Sequence, residues 1–257
     1  MVQYPYMENI TSHYNLLIFD TETTGNQTND RICQLAYKVF GEPTEKTFDE
    51  LYKPEVIISV ESQAVHHITP KMVVDKPNFK ESKDFTQVKE LFENPQTILV
   101  AHNAKFDVTM LQKEDVKIAN AIDTLKIVRY LDPEMKIARH NLQYLRYLLE
   151  LDNDIHEKIQ AHDAKGDVLI LEKLFIRLFI KVRAECTDDT EALEKMIEIS
   201  KKPTLIVKFT FGKHNGSTVE DVVKSDKSYL QWLLKTKRES EQDDEDWIYT
   251  LEHFLNI

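Results

Sequence analysis

The sequence has few features of a secreted or membrane protein. It contains two cysteines, Cys33 and Cys186, which lie far apart and form no CxxC pair, so we interpret both as reduced thiols. No apolar run approaches the ~18 residues that a membrane span requires. Residues 1–10 do not combine a basic stretch with an apolar one, as a secretory signal would. These absences predict a cytoplasmic protein without a membrane partner.

The sequence also lacks the excess of positive charge that is typical of nucleic-acid-binding proteins. Its formal net charge is −11, but the charge is unevenly distributed. Residues 201–238 carry +6, whereas residues 239–257 carry −7. We therefore interpret residues 201–238 as a candidate surface for extended nucleic-acid contact. Clustered acids elsewhere do not exclude phosphate chemistry, because a divalent cation can lie between the two.

The chain is long enough for one medium-sized domain and a small one, and its composition is that of an ordinary folded protein. Of its 257 residues, 42% are hydrophobic and 30% are charged. Hydrophobic patterning predicts several strands, at 14–20, 31–40, 46–55, 96–103 and 118–123. It predicts helices at 104–114, 141–152, 163–183 and 188–200, the last with Thr187 as N-cap.

The remaining segments are less regular. Residues 61–93 have an irregular helical pattern that Pro70 and Pro77 interrupt. Pro203 marks a boundary, after which residues 204–257 form a small second unit. In that unit the pattern predicts a strand at 205–212, a turn and two helices.

An apolar strand that ends in two acids is the first indication of chemistry. Residues 16–19 are wholly apolar, and Asp20 and Glu22 follow, with Gly25 close behind. Residues i and i+2 of a strand point to one face, so both carboxylates project together where α/β sheets place their ligands. Adjacent anions repel unless a cation lies between them, and Mg²⁺ favours such oxygen ligands. Alone, an acid pair of this kind is usually only solvated.

Two later segments repeat this arrangement. The apolar residues 98–101 are followed by His102, Asn103 and Asp107, of which Asp107 falls in the first turn of a predicted helix. In the segment "AHDAKGD", His162 lies just before a predicted helix and Asp167 in its first turns. Asp163 suits the N-cap of that helix, and we give it no catalytic role.

The segments "FDTETTG", "AHNAKFD" and "HDAKGD" together resemble the three exonuclease motifs of the DEDDh, or DnaQ-like, 3′→5′ exonucleases. All five signature positions of that family are filled in order, by Asp20, Glu22, Asp107, His162 and Asp167. The resemblance covers about residues 14–183 and implies an α/β, RNase H-like fold with a mixed five-stranded sheet flanked by helices. It also implies that the four carboxylates hold two Mg²⁺ ions, which Mn²⁺ can replace, and that His162 is the general base.

The same resemblance extends to residues around the substrate. The segment 64–77, "AVHHITPKMVVDKP", is similar to a "VHGIT" segment of the family, with His67 in place of the usual glycine. It implies a set of candidates for binding the terminal nucleotide: Thr23, Gly25, Val65, His66, Asn103 and Phe106.

The C-terminal unit resembles a narrower group. "FGKHNG" and "YLQWLL" are similar to the small C-terminal module of exodeoxyribonuclease X. We therefore expect an exonuclease domain at 12–183, a helical linker at 184–202 and a small α+β module at 203–257. Tyr229 and Trp232 are expected in the core of this module. Its candidate DNA contacts are Lys208, Lys213 and His214.

Together these features predict an enzyme that releases nucleoside 5′-monophosphates from single-stranded or duplex DNA 3′ ends, with no obligatory protein partner visible. The C-terminal module favours DNA, but an exoribonuclease of the same superfamily, acting on RNA, is an alternative. A non-catalytic nucleic-acid-binding protein is another. A third is a haloacid-dehalogenase phosphatase, although that family has Asp where this chain has Glu22.

Overall fold

The computed structural model of the chain describes residues 14–155, 159, 161–240 and 244–257. The predicted domain start at residue 12 and residues 241–243 of the acidic run lie outside these ranges. The strands of the described residues are β1 (Asn15–Thr23), β2 (Ile32–Val39), β3 (Phe48–Leu51), β4 (Thr97–Ala101) and β5 (Asn120–Asp123). Their α-helices are α1 (Val60–His66), α2 (Pro70–Val73), α3 (Phe85–Glu93), α4 (Ala104–Lys113), α5 (Thr124–Leu131), α6 (Leu142–Leu148), α7 (Ala164–Arg183), α8 (Asp189–Ser200), α9 (Val219–Ser225), α10 (Lys227–Glu239) and α11 (Glu245–Leu255).

The strands form one mixed sheet in the order β3-β2-β1-β4-β5. β1 is antiparallel to β2 and parallel to β4, β2 is antiparallel to β3, and β4 is parallel to β5. The predicted five-stranded sheet is therefore confirmed. Because β1 and β4 are parallel, the chain segments that follow them leave the sheet at the same edge.

Both faces of the central strand β1 are covered, which explains its continuous apolar run. Leu16 and Ile18 pack in one core with residues of α5, α6, α7 and α8. Leu17 and Phe19 pack in a second core, with residues of α3 and α4. The strand alternation therefore directs the even-numbered side chains of β1 towards α7 and the odd-numbered ones towards α4.

The predicted helical linker at 184–202 contains α8, which is packed into the main core. Its buried side chains lie in the same cluster as Leu16 of β1: Ala192, Leu193, Met196 and Ile197. The N-cap of α8 is Asp188, whose carboxylate accepts from the Glu191 amide at 2.9 Å. The prediction of Thr187 as N-cap was wrong by one residue; its amide and hydroxyl both donate to the Glu191 carboxylate at 2.6 Å.

The C-terminal unit is mostly helical, with Phe209 buried among α9, α10 and α11. The predicted strand at 205–212 is reduced to one β-bridge between Lys208 and Thr218. Tyr229 packs against this core as expected, but Trp232 is 57% exposed, so its predicted core position was wrong. α10 buries Leu230, Leu233 and Leu234, and Trp232 lies on another side of the helix. No helix of the described residues has the length and apolar character to cross a membrane.

Candidate active site

Three of the predicted carboxylates converge where β1 ends and α7 begins. Asp20 and Glu22 point from β1 towards α7, and Asp167 lies in the first turn of that helix. One carboxylate oxygen of each lies within 4.8 Å of one from each of the others. This grouping follows from strand alternation at β1 and from the docking of α7 on the same face of the sheet.

The fourth carboxylate, Asp107, reaches this strand end from the other face of the sheet. It lies in the first turn of α4 and is 4% exposed. Its Oδ1 accepts from the Thr21 amide at 3.1 Å and from the Thr21 hydroxyl at 2.6 Å. Thr21 points to the α4 side because it lies between Asp20 and Glu22 on the strand. Its role in holding Asp107 could not be read from the sequence.

Burial and mutual repulsion make this cluster electrostatically unfavourable without a counter-charge. Burial is the main cause that raises the pKa of Glu22 to about 9, with Asp167 and Asp107 the next contributors. Burial likewise raises the pKa of Asp107 and that of Asp167 to about 7. The pKa of Asp20 is well above its usual range, through burial and then the charge of Asp107. An oxygen-only, multiply anionic donor set fits hard divalent cations.

Asp167 is oriented by groups that the sequence did not single out. The Gln143 side-chain amide of α6 and the backbone amide of His162 both donate to its carboxylate. The nearby charge of Arg146 lowers the pKa of Asp167, partly opposing burial. Arg146 in turn donates to Gln143 Oε1 at 3.3 Å and to Asp152 at 2.8 Å. No motif marks α6, so only the fold brings these residues to the site.

A second set of polar contacts fixes the start of α7. Asp163 is its N-cap, as predicted, and accepts from the Gly166 amide at 3.3 Å. The side chain of Gln34, opposite Glu22 on β2, donates to Asp163 at 3.2 Å and accepts from the Ala164 amide at 3.4 Å. Gln34 therefore links β2 to the helix that carries Asp167, and sequence reasoning missed it.

His162 lies in the turn immediately before α7, as predicted. Its backbone is in the left-handed region, with φ of 57°, and its side chain is exposed. Burial is the main cause that lowers the pKa of His66, and the charges of His67 and His162 lower it further. The side chain of His162 is therefore open to solvent, and its backbone amide is bonded to Asp167 of the cluster.

The loop after β1 is tightly held, and glycine is required within it. The Thr23 hydroxyl donates to the Gly25 carbonyl at 2.7 Å. A Cβ at Gly25 would lie 2.4 Å from an Asp30 carboxylate oxygen. Asp30 cannot easily move, since it accepts from the Thr24 hydroxyl at 2.6 Å and from the Gln27 amide at 2.7 Å. The backbone at Gly25 is thus fixed in the loop that directly follows Glu22 and Thr23 of β1.

His66 is 5% exposed, and both of its ring nitrogens are bonded inside the protein. Nδ1 accepts from the Ile68 amide at 3.0 Å, so Nε2 carries the proton that it donates to the Thr23 carbonyl at 3.1 Å. Its predicted contact with substrate stays a prediction and would use carbon atoms of the ring. The neighbouring His67 ends α1 with φ of 64°, which explains why the family usually has glycine there.

The other residues that are predicted to bind substrate differ in how exposed their side chains are. Val65 is 48% exposed, Asn103 begins α4 with φ of 67°, and Phe106 is half-buried in the first turn of α4. In the C-terminal unit, Lys213 and His214 both bond to Asp226 Oδ2, at 2.6 and 3.1 Å. A phosphate contact there would have to replace an existing ion pair. Lys208 is half-buried, and its backbone forms the bridge described above.

Comparison with known proteins gives the same family as the motifs. The family model described as "Exonuclease" matches residues 17–175, and the one described as "Exodeoxyribonuclease X-like C-terminal" matches residues 209–237. Exodeoxyribonuclease 10 of Escherichia coli K12 is 31% identical over 220 residues, which are 85% of this chain and 90% of the relative. The DNA polymerase III epsilon subunit of Buchnera aphidicola subsp. Schizaphis graminum is 32% identical over 180 residues, 63% of this chain and 72% of its own.

A solved structure supports the same relationship. The structure of exonuclease X in complex with 5′ overhanging duplex DNA is similar with a TM-score of 0.55 and 26% identity, over 72% of this chain and 99% of that one. Enzymes of this family depend on divalent metal ions, and the carboxylate cluster supplies suitable donors. The phosphatase alternative does not agree with this relationship. The chain therefore belongs to the exonuclease family, carries an exodeoxyribonuclease X-like C-terminal module and is a 3′→5′ exonuclease.

Proposed function

We propose that the enzyme hydrolyses phosphodiester bonds at DNA 3′ ends and releases nucleoside 5′-monophosphates. The observation that carries this proposal is the convergence of Asp20, Glu22 and Asp167 within 4.8 Å, with Asp107 beside them. DNA is favoured over RNA because the relative with matching length is an exodeoxyribonuclease. The module at 209–237 and the duplex DNA bound in the similar structure support the same choice.

Asp20, Glu22, Asp107 and Asp167 would hold two Mg²⁺ ions, with Mn²⁺ as a substitute. When bound, such ions lower the pKa of water and offset negative charge at a phosphoryl group. In their ionised form the four carboxylates would repel a phosphodiester, so bound cations would both keep them ionised and offset their charge toward the substrate. The bonds from Thr21 to Asp107 and from Gln143 to Asp167 fix the direction in which two of these carboxylates point.

His162 is proposed as the general base that accepts a proton from the attacking water. Two observations support this role: the His162 side chain is exposed in the turn before α7, and its backbone amide donates to Asp167. A neutral imidazole can accept this proton and then return it to solvent. His162 must therefore be uncharged for the reaction, and activity is expected to rise from acid to neutral pH.

The terminal nucleotide is proposed to lie between the loop after β1 and the start of α4. Gly25 exposes backbone in that loop, while Asn103 and Phe106 precede Asp107 within about one turn. Val65 contributes an exposed apolar side chain from α1. His66 and Thr23 act together here, because the buried His66 ring holds the Thr23 carbonyl and so fixes the loop.

The proposal is tested by a time course on 5′-labelled oligonucleotides with Mg²⁺. We compare single-stranded DNA, duplex DNA with a 5′ overhang and RNA of matched sequence. We expect DNA to be shortened one nucleotide at a time from its 3′ end, and more quickly than RNA. Faster cleavage of RNA would favour the exoribonuclease alternative, and tight DNA binding without cleavage would favour the non-catalytic one.

The role of the carboxylates is tested in the same assay with Asp20→Asn. We expect nuclease activity to fall by more than about 100-fold. Removing a residue that only supports a metal ligand typically costs about 10- to 100-fold, and removing a ligand itself should cost more. Asp115→Asn is a matched control, because Asp115 is an exposed acid paired with Lys80 at 2.6 Å. Near-normal turnover by folded Asp20→Asn would overturn the proposed metal-ligand role.

A further inference from the structure

A cavity of about 490 Å³ lies between the exonuclease part of the chain and its C-terminal unit. On one side it is lined by the loop at 26–28 and by α4 and α5, and on the other by Ile206 and residues 244–247. Phe106 and Trp247 give it aromatic walls on opposite sides. It is distinct from the carboxylate cluster, none of whose four members lines it.

This cavity begins next to the candidate active site. Its loop residue Asn26 directly follows Gly25, its residue Asn103 is the N-cap of α4, and its residue Phe106 lies in the first turn of α4 with Asp107. A strand whose 3′-terminal nucleotide reaches the carboxylates through these residues would continue into or past the cavity. The cavity is therefore placed where the substrate has more than one nucleotide.

The charges that line the cavity are mostly divided between the two parts of the chain. Lys105, Lys113, Lys126 and Arg129 come from the exonuclease part, together with one acid, Asp123, and the acids Asp244, Glu245 and Asp246 come from the C-terminal unit. Lys105 Nζ lies 2.6 Å from Glu245 Oε2, and Lys126 Nζ lies 3.9 Å from the same atom. Two of the four cations, Lys105 and Lys126, thus already lie close to one carboxylate oxygen.

Asp246 and Glu245 differ in how firmly the surrounding protein holds their carboxylates. Asp246 pairs with Arg129, with both side chains largely buried, and also accepts from the Thr204 amide at 2.7 Å. The side chains of Glu245 and Lys105 are 35% and 49% exposed. Partly exposed ion pairs such as Glu245–Lys105 contribute little to stability, so another anion can replace Glu245 there at low cost. The Lys126 side chain is only 8% exposed, but its ammonium also donates to the Lys202 carbonyl at 2.9 Å and keeps that partner when Glu245 is displaced. Asp246 instead fixes the C-terminal unit against α5.

We propose that this cavity binds the phosphodiester backbone of the substrate strand on the 5′ side of the nucleotide being removed. In the free enzyme Glu245 holds Lys105 and Lys126, and a substrate phosphate takes its place on binding. Asp246 and Arg129 stay paired and keep the two parts of the chain together. This inference rests on the proposed function, and it assigns to the C-terminal unit a direct role in setting substrate affinity.

The placement of the cations and the aromatic lining support a nucleic-acid strand as the occupant. The ammonium groups that now lie close to a carboxylate oxygen can donate equally well to a phosphate oxygen, because both oxygens are anionic acceptors. Aromatic and apolar walls beside cations are the surface on which single strands bind. Glu245 would also oppose small or weakly bound anions, because only a ligand that supplies several contacts at once can displace it.

The test uses full-length protein, with Ca²⁺ in place of Mg²⁺, and a fluorescent single-stranded oligodeoxynucleotide of about 12 nucleotides. Glu245→Gln is expected to tighten binding by about 3- to 10-fold at low ionic strength, and Lys105→Gln to weaken it by a similar factor. Both differences should shrink as salt is added. Lys105→Gln should also reduce the slope of log affinity against log salt by about one.

Glu42→Gln and Lys46→Gln are matched controls for the change in charge. These residues form a 2.5 Å ion pair in the turn between β2 and β3, whereas the cavity lies near β5 at the opposite edge of the sheet. Binding by Glu245→Gln and Lys105→Gln that equals binding by these controls would overturn the inference. Weaker binding by Glu245→Gln would also overturn the inference, because Glu245 would then stabilise the structure and not compete with the substrate phosphate.

A second substrate separates this inference from the proposed function. The p-nitrophenyl ester of thymidine 5′-monophosphate has one nucleoside and no strand to enter the cavity. With Mg²⁺, Glu245→Gln and Lys105→Gln should hydrolyse it at the wild-type rate while differing on the oligonucleotide. If wild-type protein hydrolyses neither substrate, the proposed function fails; equal changes on both substrates would overturn the cavity inference alone.

Discussion

Asp20 shows how a single residue couples folding to function. Its carboxylate is placed among Glu22, Asp107 and Asp167 by a strand whose neighbouring residues are fully buried. Each of these three acids has a pKa raised mainly by burial and, for Glu22, then by the charges of the others. The local arrangement therefore costs stability unless protons or metal ions offset the charge.

This cost predicts a pH-dependent stability of the metal-free protein. In the folded state Glu22 keeps its proton up to about pH 9, whereas in the unfolded state it loses the proton near ~4.3. Between these values the folded state binds more protons, so stability falls as pH rises. Asp107 and Asp167, raised to about 7, act in the same direction up to neutral pH.

Replacing one acid should relieve this effect. In EDTA at pH 8 we expect Asp20→Asn to be more stable than wild type by about 1 kcal/mol, which corresponds to less than one pKa unit. Mg²⁺ should stabilise wild type more than this variant. Urea unfolding at pH 6 and 8, with EDTA or Mg²⁺, measures both effects. A less stable Asp20→Asn at pH 8 in EDTA would contradict the electrostatic interpretation.

His162 gives a separate prediction at the same scale. His162→Ala should lower kcat by about 10²- to 10⁴-fold and remove the rise of activity between acid and neutral pH, while metal and DNA binding persist. His253→Ala is a suitable control because His253 is exposed in α11 of the C-terminal unit. An unchanged pH–rate profile in His162→Ala would remove this residue as the base.

At the scale of elements, the site depends on how α6 and α7 are docked on the sheet. Gln143 of α6 donates to Asp167 of α7, and Arg146 supports Gln143 from the same helix. Gln143→Leu keeps the size of the side chain but removes the donor. We expect the Mg²⁺ concentration for half-maximal activity to rise about 10-fold, with stability little changed. Gln231→Leu, on the exposed side of α10, is the control.

Elements were predicted well from sequence where one physical cause dominated. The apolar run of β1 and the periodicity of α7 both reflect burial, and both elements lie where the pattern placed them. The strand expected at 205–212 does not form beyond one bridge, because Phe209 is buried by helices α9 to α11 and the Ile206 amide donates to the Thr250 hydroxyl of α11 at 2.8 Å instead of to a strand. A short strand without a sheet to join is only marginally stable.

At the scale of the whole molecule, the sequence identified the acids but not how they are brought together. Motif order was enough to expect Asp20, Glu22 and Asp167 near one another. Only the structure shows that Asp107 approaches from the opposite face of the sheet and that Thr21 holds its carboxylate there. The same holds for the pairing of Glu245 with Lys105, since 140 residues separate the two along the chain.

The C-terminal unit is joined to the exonuclease part through contacts of opposite charge and through α8. Asp246 bonds to both Arg129 and the Thr204 amide, and the Lys126 ammonium donates to the Lys202 carbonyl at 2.9 Å. Since α8 packs in the core beneath β5, the chain enters this unit from a fixed point. The predicted boundaries at 183 and 203 stay predictions, although the residues between them are structurally part of the larger unit.

The central claim is that the acids of β1, α4 and α7 jointly bind two divalent cations. Anomalous scattering from crystals of the full-length protein soaked in Mn²⁺ tests it most directly. Two anomalous peaks in contact with the carboxylates of Asp20, Glu22, Asp107 and Asp167 are the predicted result. Carboxylates pointing apart, with no peak among them in crystals of protein that degrades DNA with Mn²⁺ in solution, would contradict the claim.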